Sequence, residues 1–411
     1  MKTRLAIIFG GESVEHEISI ISAQQVIEAV NKDKYEVIPV YISKKNEWYT
    51  GDVLLGMEHF KDLDFVEKNA KKVKLIADKS RYFLYEYPFK VFSKKPLAEF
   101  DVAFPVVHGT NVEDGTIQGL FASNKIPFVG PTVSGGAVGQ DKVLMKLIWQ
   151  ASQLPILPYI WCYSKQWSQL KSEYVKRLIA EIGFPMIIKP ASLGSSIGIA
   201  VAKNEDELIS AMDDAVNYDE KIIVEQALVD FTEMNCSVLG NSVETQASAI
   251  EKVFGAEDFL SFEDKYQGGK SGSKNPKMQI SATDTSSKML GGMANTIREI
   301  PAILDIEMEQ AIKGLAELAF KTLGMTGVSR IDFLVDNRTN KIYLNEINTI
   351  PGSLSFYLWQ AAGIEFSELI DKLVKIAITR FREHEKTVFT YDSNVLAQLA
   401  TRGSKGSKFK K

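Results

Sequence analysis

Residues 328–352 (VSRIDFLVDNRTNKIYLNEINTIPG) constrain the fold more than any other stretch, because they join two strand patterns to a dense set of polar side chains. From Arg330 to Val335, apolar residues alternate with charged ones, which is the period of a half-buried strand. Residues 336–340 are turn formers, and an extended pattern then resumes up to Ile347. The stretch therefore predicts a β-hairpin.

The polar side chains of this hairpin predict a cation site. Because residues i and i+2 of a strand point the same way, Arg330 and Asp332 share one face, and so do Glu346 and Asn348. Pairing of the strands would bring two carboxylates, an amide oxygen and a guanidinium together. Oxygen ligands of this kind suit Mg²⁺, and the arginine suits a phosphate or a developing oxyanion. For this segment taken alone, a surface hairpin with solvated charges remains the alternative.

Composition excludes several classes of protein. The chain has 411 residues, 45% of them hydrophobic and 24% charged, so it is long enough for two or three packed domains. The formal net charge of −4 gives no reason to expect nucleic acid or an anionic membrane as a partner. No apolar run approaches the roughly 18 residues that span a bilayer, and residues 2–9 are too short for a signal-peptide core. We expect a cytoplasmic location.

The N-terminal residues predict an α/β domain. Residues 4–9 (RLAIIF) form an apolar strand that ends in two glycines and leads into a helical pattern. The glycines do not form GxGxxG, so a dinucleotide-binding oxidoreductase is the weaker interpretation. Glu15 lies at the carboxyl end of this strand, where open α/β sheets bind ligands, and is a candidate for a substrate ammonium group. The lysine-rich residues 43–99 look irregular, with a solvated helix predicted at residues 66–74.

Two further clusters predict contact with a ligand. His108 lies on a glycine-bounded loop just after a strand, where it could contact a ligand or simply be a satisfied hydrogen-bonding residue. Lys189 ends a buried strand, and the small residues 191–198 (ASLGSSIG) offer N–H groups and two hydroxyls to phosphate oxygens. No GK[ST] leads into a helix, so this is not a Walker A loop.

Lysines and acids elsewhere extend this cluster into a nucleotide cleft. Lys142 begins a helix and could hold a phosphate, while Glu225 could take an adenine amine and Glu233 a ribose hydroxyl. Each alone would be an ordinary surface residue. The segment after Lys265 and Tyr266 is rich in Gly, Ser, Lys and Asn, which favours a mobile lid.

Eight ordered motifs together resemble the D-alanine–D-alanine ligase family of the ATP-grasp superfamily, over roughly residues 3–382. They are SVEHEIS (13–19), HGTNVEDGTIQG (108–119), DK (141–142), KPASLGSSIG (189–198), EQAL (225–228), EDKY (263–266), RIDF (330–333) and NEINTIPG (345–352). The resemblance implies an α/β fold that is α+β in its nucleotide-binding part. Its expected parts are a Rossmann-like open sheet (1–140), a central small-sheet lid domain (141–240), a C-terminal catalytic sheet domain (241–385) with a mobile insertion (267–297), and a disordered basic tail (386–411).

The resemblance also implies a reaction that serves peptidoglycan precursor synthesis. One D-alanine carboxylate attacks the γ-phosphate of ATP, and the amine of a second D-alanine then displaces phosphate from the acyl phosphate. ATP and two Mg²⁺ (or Mn²⁺) ions are the implied cofactors, and a homodimer is the implied assembly.

Residue roles follow from the same resemblance. The catalytic positions are Glu15, which anchors the ammonium group, Ser195 and Tyr266 beside it, His108, which assists proton movement, and Arg330 and the Gly352 N–H, which form the oxyanion hole. The substrate-binding positions are Glu15, His108, Lys265, Ser355, Tyr357 and Leu358. The ATP-binding positions are Lys142, Lys189, Ser195, Ser196, Glu225, Ala227, Leu228, Glu233, Lys265, Asn345 and Glu346. The metal ligands are Asp332, Glu346 and Asn348.

The sequence departs from the family pattern in four places. Tyr357 stands where many members have the serine of PGxTxxS that holds the incoming carboxylate, and Ser355 is the candidate substitute. Val112 replaces the first glycine of GEDG, one extra residue precedes Glu233, and the segment after Tyr266 is longer than usual. Tyr266 favours D-alanine over D-lactate as second substrate, and D-serine remains an alternative.

Two rival hypotheses remain at this point. Another carboxylate–amine ligase of the same fold would explain the lysines and the metal site, but not SVEHEIS or HGTNVEDG. A catalytically silent nucleotide-binding regulator would keep the cleft and lose the chemistry. The intact polar set of the 328–352 hairpin argues against the regulator.

Overall fold

The structure is a computed structural model that describes residues 2–78, 81–89, 95–194, 197–254 and 297–390. Three β-sheets of seven, four and five strands organise these residues. Several predictions lie outside the described residues, namely those for Ser195, Ser196, Lys265, Tyr266, most of the insertion (267–296) and the tail from residue 391.

The first sheet has the strand order β6-β5-β4-β3-β2-β1-β7. Its strands are β1 (Thr3–Gly10), β2 (Tyr35–Ile42), β3 (Trp48–Thr50), β4 (Lys71–Asp78), β5 (Arg81–Glu86), β6 (Ala98–Phe100) and β7 (Val102–Val107). β1 pairs in parallel with β2 and β7, as predicted for an α/β unit, and the remaining pairs are antiparallel. Gly10, with φ +89°, makes the turn toward α1 (His16–Ala29), where a Cβ would lie 2.2 Å from the carbonyl oxygen of Ile42.

The helix predicted at residues 66–74 is wrong in part. Helix α2 (Leu63–Asn69) begins at the Asp62 cap, which accepts a hydrogen bond from the Phe65 N–H at 3.0 Å, and ends before residue 71. From residue 71 the chain forms strand β4, whose sequence KKVKLIAD alternates between apolar and charged residues. Val73 is buried at 1% exposure, and Lys71 and Lys74 are exposed. The irregular stretch is therefore an antiparallel extension of the first sheet.

The second sheet is small and carries helices on one face. Its order is β10-β9-β11-β8, and its strands are β8 (Tyr159–Tyr163), β9 (Met186–Pro190), β10 (Ala200–Ala202) and β11 (Lys221–Gln226). The helices preceding it are α3 (Thr116–Ser123), α4 (Val133–Gln140) and α5 (Lys142–Ala151), and those within it are α6 (Ser164–Glu181) and α7 (Glu205–Ala215). Trp167, Leu178, Leu208 and Met212 of α6 and α7 form its core with the strands.

The third sheet is antiparallel throughout, in the order β14-β13-β12-β15-β16. Its strands are β12 (Phe231–Gly240), β13 (Thr245–Phe254), β14 (Ile297–Glu299), β15 (Gly327–Asp336) and β16 (Ile342–Asn348). Helix α8 (Ile306–Thr322) packs Ile312 and Phe320 against Ile331 and Phe333, the odd-numbered side of β15. The even-numbered side of β15, which carries Asp332, therefore faces the opposite way.

The C-terminal helices join the third sheet to the first. After α9 (Phe356–Ala361), helix α10 (Phe366–His384) places Leu369 and Leu373 in the same core as β1 and β7. Near its end, half-buried Arg380 donates to the carbonyl oxygens of Phe128 and Gly130, at 2.7 Å each. Burial lowers the pKa of Arg380 to about 10.

The predicted domain boundaries stay a prediction. Strand β12 falls within the predicted central domain (141–240) and belongs to the third sheet. This strand occupies residues 231–240 and pairs with β13 and β15 of the third sheet. Within the described part of the chain, we find no helix that combines the length and the apolar character needed to cross a membrane.

Glu113 also links the first sheet to the third, through buried hydrogen bonds. Its Oε1 accepts from the Thr349 hydroxyl at 2.8 Å and from the Ile350 N–H at 2.7 Å, and its Oε2 accepts from the Gly109 N–H at 2.9 Å. Burial, reinforced by the negative charge of Glu15, raises the pKa of Glu113 from 4.5 to about 7. The folded state thus holds the Glu113 proton more tightly than the unfolded chain does.

We predict that the stabilisation by Glu113 depends on pH. Because its folded pKa lies above its unfolded pKa, its contribution is fully present below pH 4.5 and is lost as the pH rises toward 7. Urea unfolding of the wild type and Glu113→Gln at pH 5 and pH 7.5 measures this. The unfolding free energy of the wild type minus that of Glu113→Gln should be lower at pH 7.5 than at pH 5 by on the order of 2 kcal/mol. An identical difference at both pH values contradicts the prediction.

Candidate active site

The 328–352 hairpin forms as β15 and β16, and its register brings the predicted polar set together. Arg330 pairs with Asn348, and Asp332 pairs directly with Glu346. Directly opposed residues of antiparallel strands project on the same face, so all four side chains lie on the side away from α8. The hairpin prediction and the convergence of these side chains are confirmed.

Asp332 is the most buried acid of this group, at 4% exposure. The Arg330 fork holds it through Nε and Nη2, which donate to its two oxygens at 2.7 Å each, and the Asn348 amide donates at 3.0 Å. Burial raises the pKa of Asp332, and the Glu346 carboxylate adds to that rise, against the pull of Arg330. Positive charge placed between Asp332 and Glu346 would relieve their repulsion.

A β-bulge at Asn345 re-aims the return strand. Asp332 pairs with Glu346 but Phe333 pairs with Leu344, so Asn345 is the extra residue on β16. Without the bulge, alternation would put Asn345 and Glu346 on opposite faces. Asn345 Oδ1 instead accepts from Lys189 Nζ at 3.1 Å, while Glu346 Oε2 lies 3.6 Å from Lys142 Nζ. The bulge therefore lets both side chains serve one cleft.

Lys142 approaches this cleft from α5, and Lys189 approaches it from the second sheet. Lys142 opens α5 after the Asp141 cap, and its Nζ also donates to the Leu193 carbonyl oxygen at 2.7 Å. Lys189 lies next to the end of β9. The loop that follows is anchored at its start, since the Ser192 N–H donates to Asp219 at 2.6 Å. The two ammonium groups thus flank the loop predicted to cover phosphates.

Lys146 is a buried charge that the sequence analysis missed. It lies one helical turn after Lys142, is 0% exposed, and places Nζ 3.2 Å from Glu225 Oε2. Lys189 Nζ lies 3.3 Å from the same oxygen. Burial pushes the pKa of Glu225 upward, but the two lysines outweigh it and the pKa is lowered. The DKVLMK spacing places both lysines on one face of a helix and was the available signal.

The remaining predicted nucleotide-binding residues lie on β11, just after it, and on β12. Glu225 is the last buried residue of β11, at 1% exposure. The Oε1 atom of Glu225 is buried and has no hydrogen-bond partner among the described residues. Ala227 is buried and Leu228 is half-buried on the bend beyond the strand. Glu233 lies on β12 two residues before Asn235, the pairing partner of Asp332, so it projects on the site's face.

Glu15 lies where two glycine-containing loops approach each other. A Cβ at Gly109 would lie 3.0 Å from Glu15 Oε2, and a Cβ at Gly194 would lie at the same distance. The carboxylate is therefore enclosed between the loop after β7 and the loop after β9. This arrangement places the predicted ammonium anchor next to the predicted phosphate loop.

His108 is buried at 4% exposure and bonded on both ring nitrogens. Nδ1 lies 2.8 Å from the Ile350 carbonyl oxygen, and Nε2 lies 3.1 Å from Ser22 Oγ. Burial lowers the pKa of His108 to about 4. The imidazole is therefore neutral near pH 7. Ser22, one more residue absent from the sequence prediction, also accepts from the Ser353 N–H at 2.9 Å.

The predicted second-substrate residues lie on the turn after Gly352 and at the start of α9. Ser355 and Leu358 are each 0% exposed, and Ser355 Oγ has no hydrogen-bond partner within the described ranges. The Tyr357 hydroxyl donates to Glu251 Oε2 at 3.3 Å. Burial, with the Glu251 charge, raises the pKa of Tyr357 to about 12. A Cβ at Gly352 would meet no atom within 4 Å, so the backbone there borders open space.

The donor set fits a divalent cation that shares its shell with phosphates. No three His, Cys, Asp or Glu side chains cluster as a metal cage in the part of the chain that the structure describes. Two carboxylates and an amide oxygen, from Asp332, Glu346 and Asn348, are the hard ligands that Mg²⁺ takes when substrate oxygens and water complete its coordination.

Comparisons with known proteins agree with this site. Family models described as "D-ala D-ala ligase N-terminus" and "D-ala D-ala ligase C-terminus" match residues 4–131 and residues 148–297 and 283–375. The D-alanine–D-alanine ligase of Thermosipho melanesiensis is 38% identical, over 95% of this chain and 98% of that protein. That of Caldicellulosiruptor bescii is 36% identical, over 95% and 99%.

Solved structures of such ligases have the same fold. The D-alanine–D-alanine ligase from Coxiella burnetii superposes with a TM-score of 0.74 at 26% identity, covering 94% of this chain and 98% of that one. The VanG D-Ala:D-Ser ligase from Enterococcus faecalis gives 0.72 at 28% identity, covering 92% and 100%. The predicted ATP-grasp architecture is confirmed. The chain belongs to the D-alanine–D-alanine ligase family, whose members are enzymes that form a C–N bond with the hydrolysis of ATP.

Proposed function

We propose that this chain joins two D-alanines into D-alanyl-D-alanine through an acyl phosphate, for peptidoglycan precursors. The observation that carries the proposal is the register of β15 and β16, which sets Arg330 and Asp332 against Asn348 and Glu346 on one face. That face provides oxygen ligands for a cation and a fixed guanidinium beside them. Lys142 of α5 and Lys189 of the second sheet meet this face, as phosphoryl transfer requires.

Asp332, Glu346 and Asn348 would hold Mg²⁺ or Mn²⁺, with two ions as our proposal. When bound, the metal neutralises charge on the phosphates and on the transferring phosphoryl group. Lys142 and Lys189 bind phosphate oxygens, and Asn345 orients the Lys189 ammonium group. Ser195, Ser196 and Lys265 are assigned to the same end of ATP by resemblance and lie outside the described residues.

The adenosine end of ATP lies beyond β11 in this proposal. The unpartnered Glu225 Oε1 accepts the adenine amine, and Lys146 and Lys189 hold the opposite oxygen. Ala227 and Leu228 line the adenine, and Glu233 binds the ribose.

Glu15 anchors the ammonium group of the first D-alanine, whose carboxylate attacks the γ-phosphorus as the bond to ADP breaks. The amine of the second D-alanine then attacks the acyl carbon. A C–N bond forms, the bond to phosphate breaks, and the amine releases its proton. The negative oxygen of the intermediate between these events is bound by Arg330 and the Gly352 N–H. Ser355, Tyr357 and Leu358 contact the second substrate, and Tyr266 lies outside the described residues.

D-Alanine is the proposed second substrate, with D-serine and D-lactate as the alternatives. One of the similar solved structures is a D-Ala:D-Ser ligase, so D-serine is the more important alternative to test. We further propose a homodimer, as the resemblance implies, and a cytoplasmic location.

The function is tested by phosphate release and product mass with ATP, Mg²⁺ and a panel of amino and hydroxy acids. We expect D-alanyl-D-alanine as the main product at pH 7, with less mixed product from D-serine or D-lactate. L-Alanine is the matched control. Turnover only with other acids would indicate a different ligase, and no turnover at all would indicate a nucleotide-binding regulator.

Arg330→Ala should abolish dipeptide formation and leave ATP binding measurable. The guanidinium is bound to Asp332 rather than to any predicted ATP contact, and removing one oxyanion donor typically costs about a hundredfold to a thousandfold in rate. Single-turnover dipeptide formation and equilibrium ATP binding measure the two effects. Arg330→Lys, which keeps the charge and loses the fork, should recover only a minor part. Wild-type turnover in the alanine variant would contradict the role.

Lys146→Met should destabilise the fold and weaken ATP use. Breaking a buried ion pair costs about 3–5 kcal/mol when a charge is left uncompensated, and the cost here should be smaller because Glu225 keeps Lys189. Urea unfolding gives the stability, and KM for ATP gives the effect on the site. The double variant Lys146→Met/Glu225→Gln is the matched control and should be less stable than the single variant, because it leaves the buried Lys189 ammonium without a carboxylate. Equal losses in the single and double variants would argue against the pair.

A further inference from the structure

A short backbone segment of the third sheet's loop is held by side chains of the first domain. The Ile350 carbonyl oxygen lies 2.8 Å from His108 Nδ1, and the Ser353 N–H donates to Ser22 Oγ at 2.9 Å. Ser22 and His108 are themselves joined at 3.1 Å. Gly352 lies between the two attachment points, so its peptide is bracketed by one continuous hydrogen-bonded chain.

The direction of each hydrogen bond in this chain is determined. A carbonyl oxygen only accepts, so His108 Nδ1 carries the proton that is donated to Ile350. In the neutral ring, Nε2 is then an acceptor, and the Ser22 hydroxyl donates to it. The Ser22 oxygen in turn accepts from the Ser353 N–H. Every donor and acceptor is used once, and Ser22 cannot be replaced by an apolar residue without leaving two buried groups unsatisfied.

The segment needs such support because its backbone is strained. Ser353, Leu354 and Ser355 follow Gly352 with φ of 52°, 53° and 50°, in the left-handed region that non-glycine residues rarely adopt. Such residues persist where the surroundings over-determine them, and they cluster at functional sites. Ser22, at 1% exposure on α1, is the buried contact that holds the first of them.

We propose that Ser22 is a positioning residue, which acts through His108 and the Ser353 N–H to fix the direction in which the Gly352 N–H points. The inference rests on the proposed function, because it assigns that N–H to the oxyanion of the ligation step. His108 is then a neutral hydrogen-bond link in the same chain. No role for Ser22 follows from the motif pattern alone.

The two chemical steps depend on this N–H to different degrees. The carboxylate attack on ATP develops charge at phosphorus, whereas the amine attack develops it on the acyl oxygen that the Gly352 N–H faces in this proposal. A misdirected N–H therefore slows the second step more than the first. The waiting acyl phosphate is then hydrolysed by water, which releases phosphate without forming dipeptide.

The test compares Ser22→Ala with Ser22→Cys in the full chain, with ATP, Mg²⁺ and D-alanine. Cysteine is slightly larger than serine and is a weak donor and acceptor, so it fills the site without restoring the hydrogen bonds. We expect dipeptide kcat to fall about tenfold in both variants, the equivalent of one or two lost hydrogen bonds. KM for ATP should change less than twofold, and the ratio of phosphate to dipeptide should rise above that of the wild type.

Ser19→Ala is the matched control on the same helix. Ser19 is 0% exposed and bonds the Gly10 N–H and the Val106 carbonyl oxygen, without touching the bracketed segment. Its loss should lower stability and leave the ratio unchanged. A wild-type ratio in both Ser22 variants, or in Ser22→Cys alone, overturns the proposal. A wild type that makes no dipeptide overturns the proposed function instead, so the two failures are distinct.

Discussion

Ionised side chains buried against fixed cations are the interaction on which the site depends. Glu225 is 1% exposed and Asp332 is 4% exposed, and a carboxylate so removed from water is tolerated only when it is paired and hydrogen-bonded. For Glu225 the cations are Lys146 on α5 and Lys189 on β9, whereas Asp332 is paired by Arg330 of its own strand. Helix α5 and the second sheet therefore have to meet at Glu225, and the third sheet meets them where Lys142 lies 3.6 Å from Glu346.

The parts of the fold that local pattern could predict are those set by neighbours in sequence. The two-residue alternation of residues 330–335 was enough to predict that Arg330 and Asp332 share a face, and the pairing with Asn348 and Glu346 followed. The same reasoning predicted the parallel core of the first sheet. The alternation of side chains and the choice of turn residues are local properties, and here they correctly predicted the hairpin of β15 and β16.

The features that local sequence patterns could not predict depend on residues far away in the sequence. Ser22 meets Ser353 across 331 residues, and Glu113 meets Ile350 across 237. No local signal reports such contacts. The bulge at Asn345 is similar, because an alternating sequence does not show where an extra residue will be inserted. The helix predicted for residues 66–74 was wrong in part because pairing of β4 with β3 and β5 decided the outcome.

The register of β15 fixes more than the proposed metal ligands. Asp332 pairs with Glu346 on one side and Asn235 on the other, and Asn235 pairs with Glu251, so one polar row crosses four strands. Arg298 and Tyr357 contact the Glu251 end, while Lys142 approaches the Glu346 end. A slip of one residue would turn Arg330 and Asp332 toward the apolar surface of α8 and bring Ile331 into the cleft. Such a slip would bury charged side chains and expose core side chains at the same time. The packing of α8 therefore holds the face that carries Arg330 and Asp332 in place.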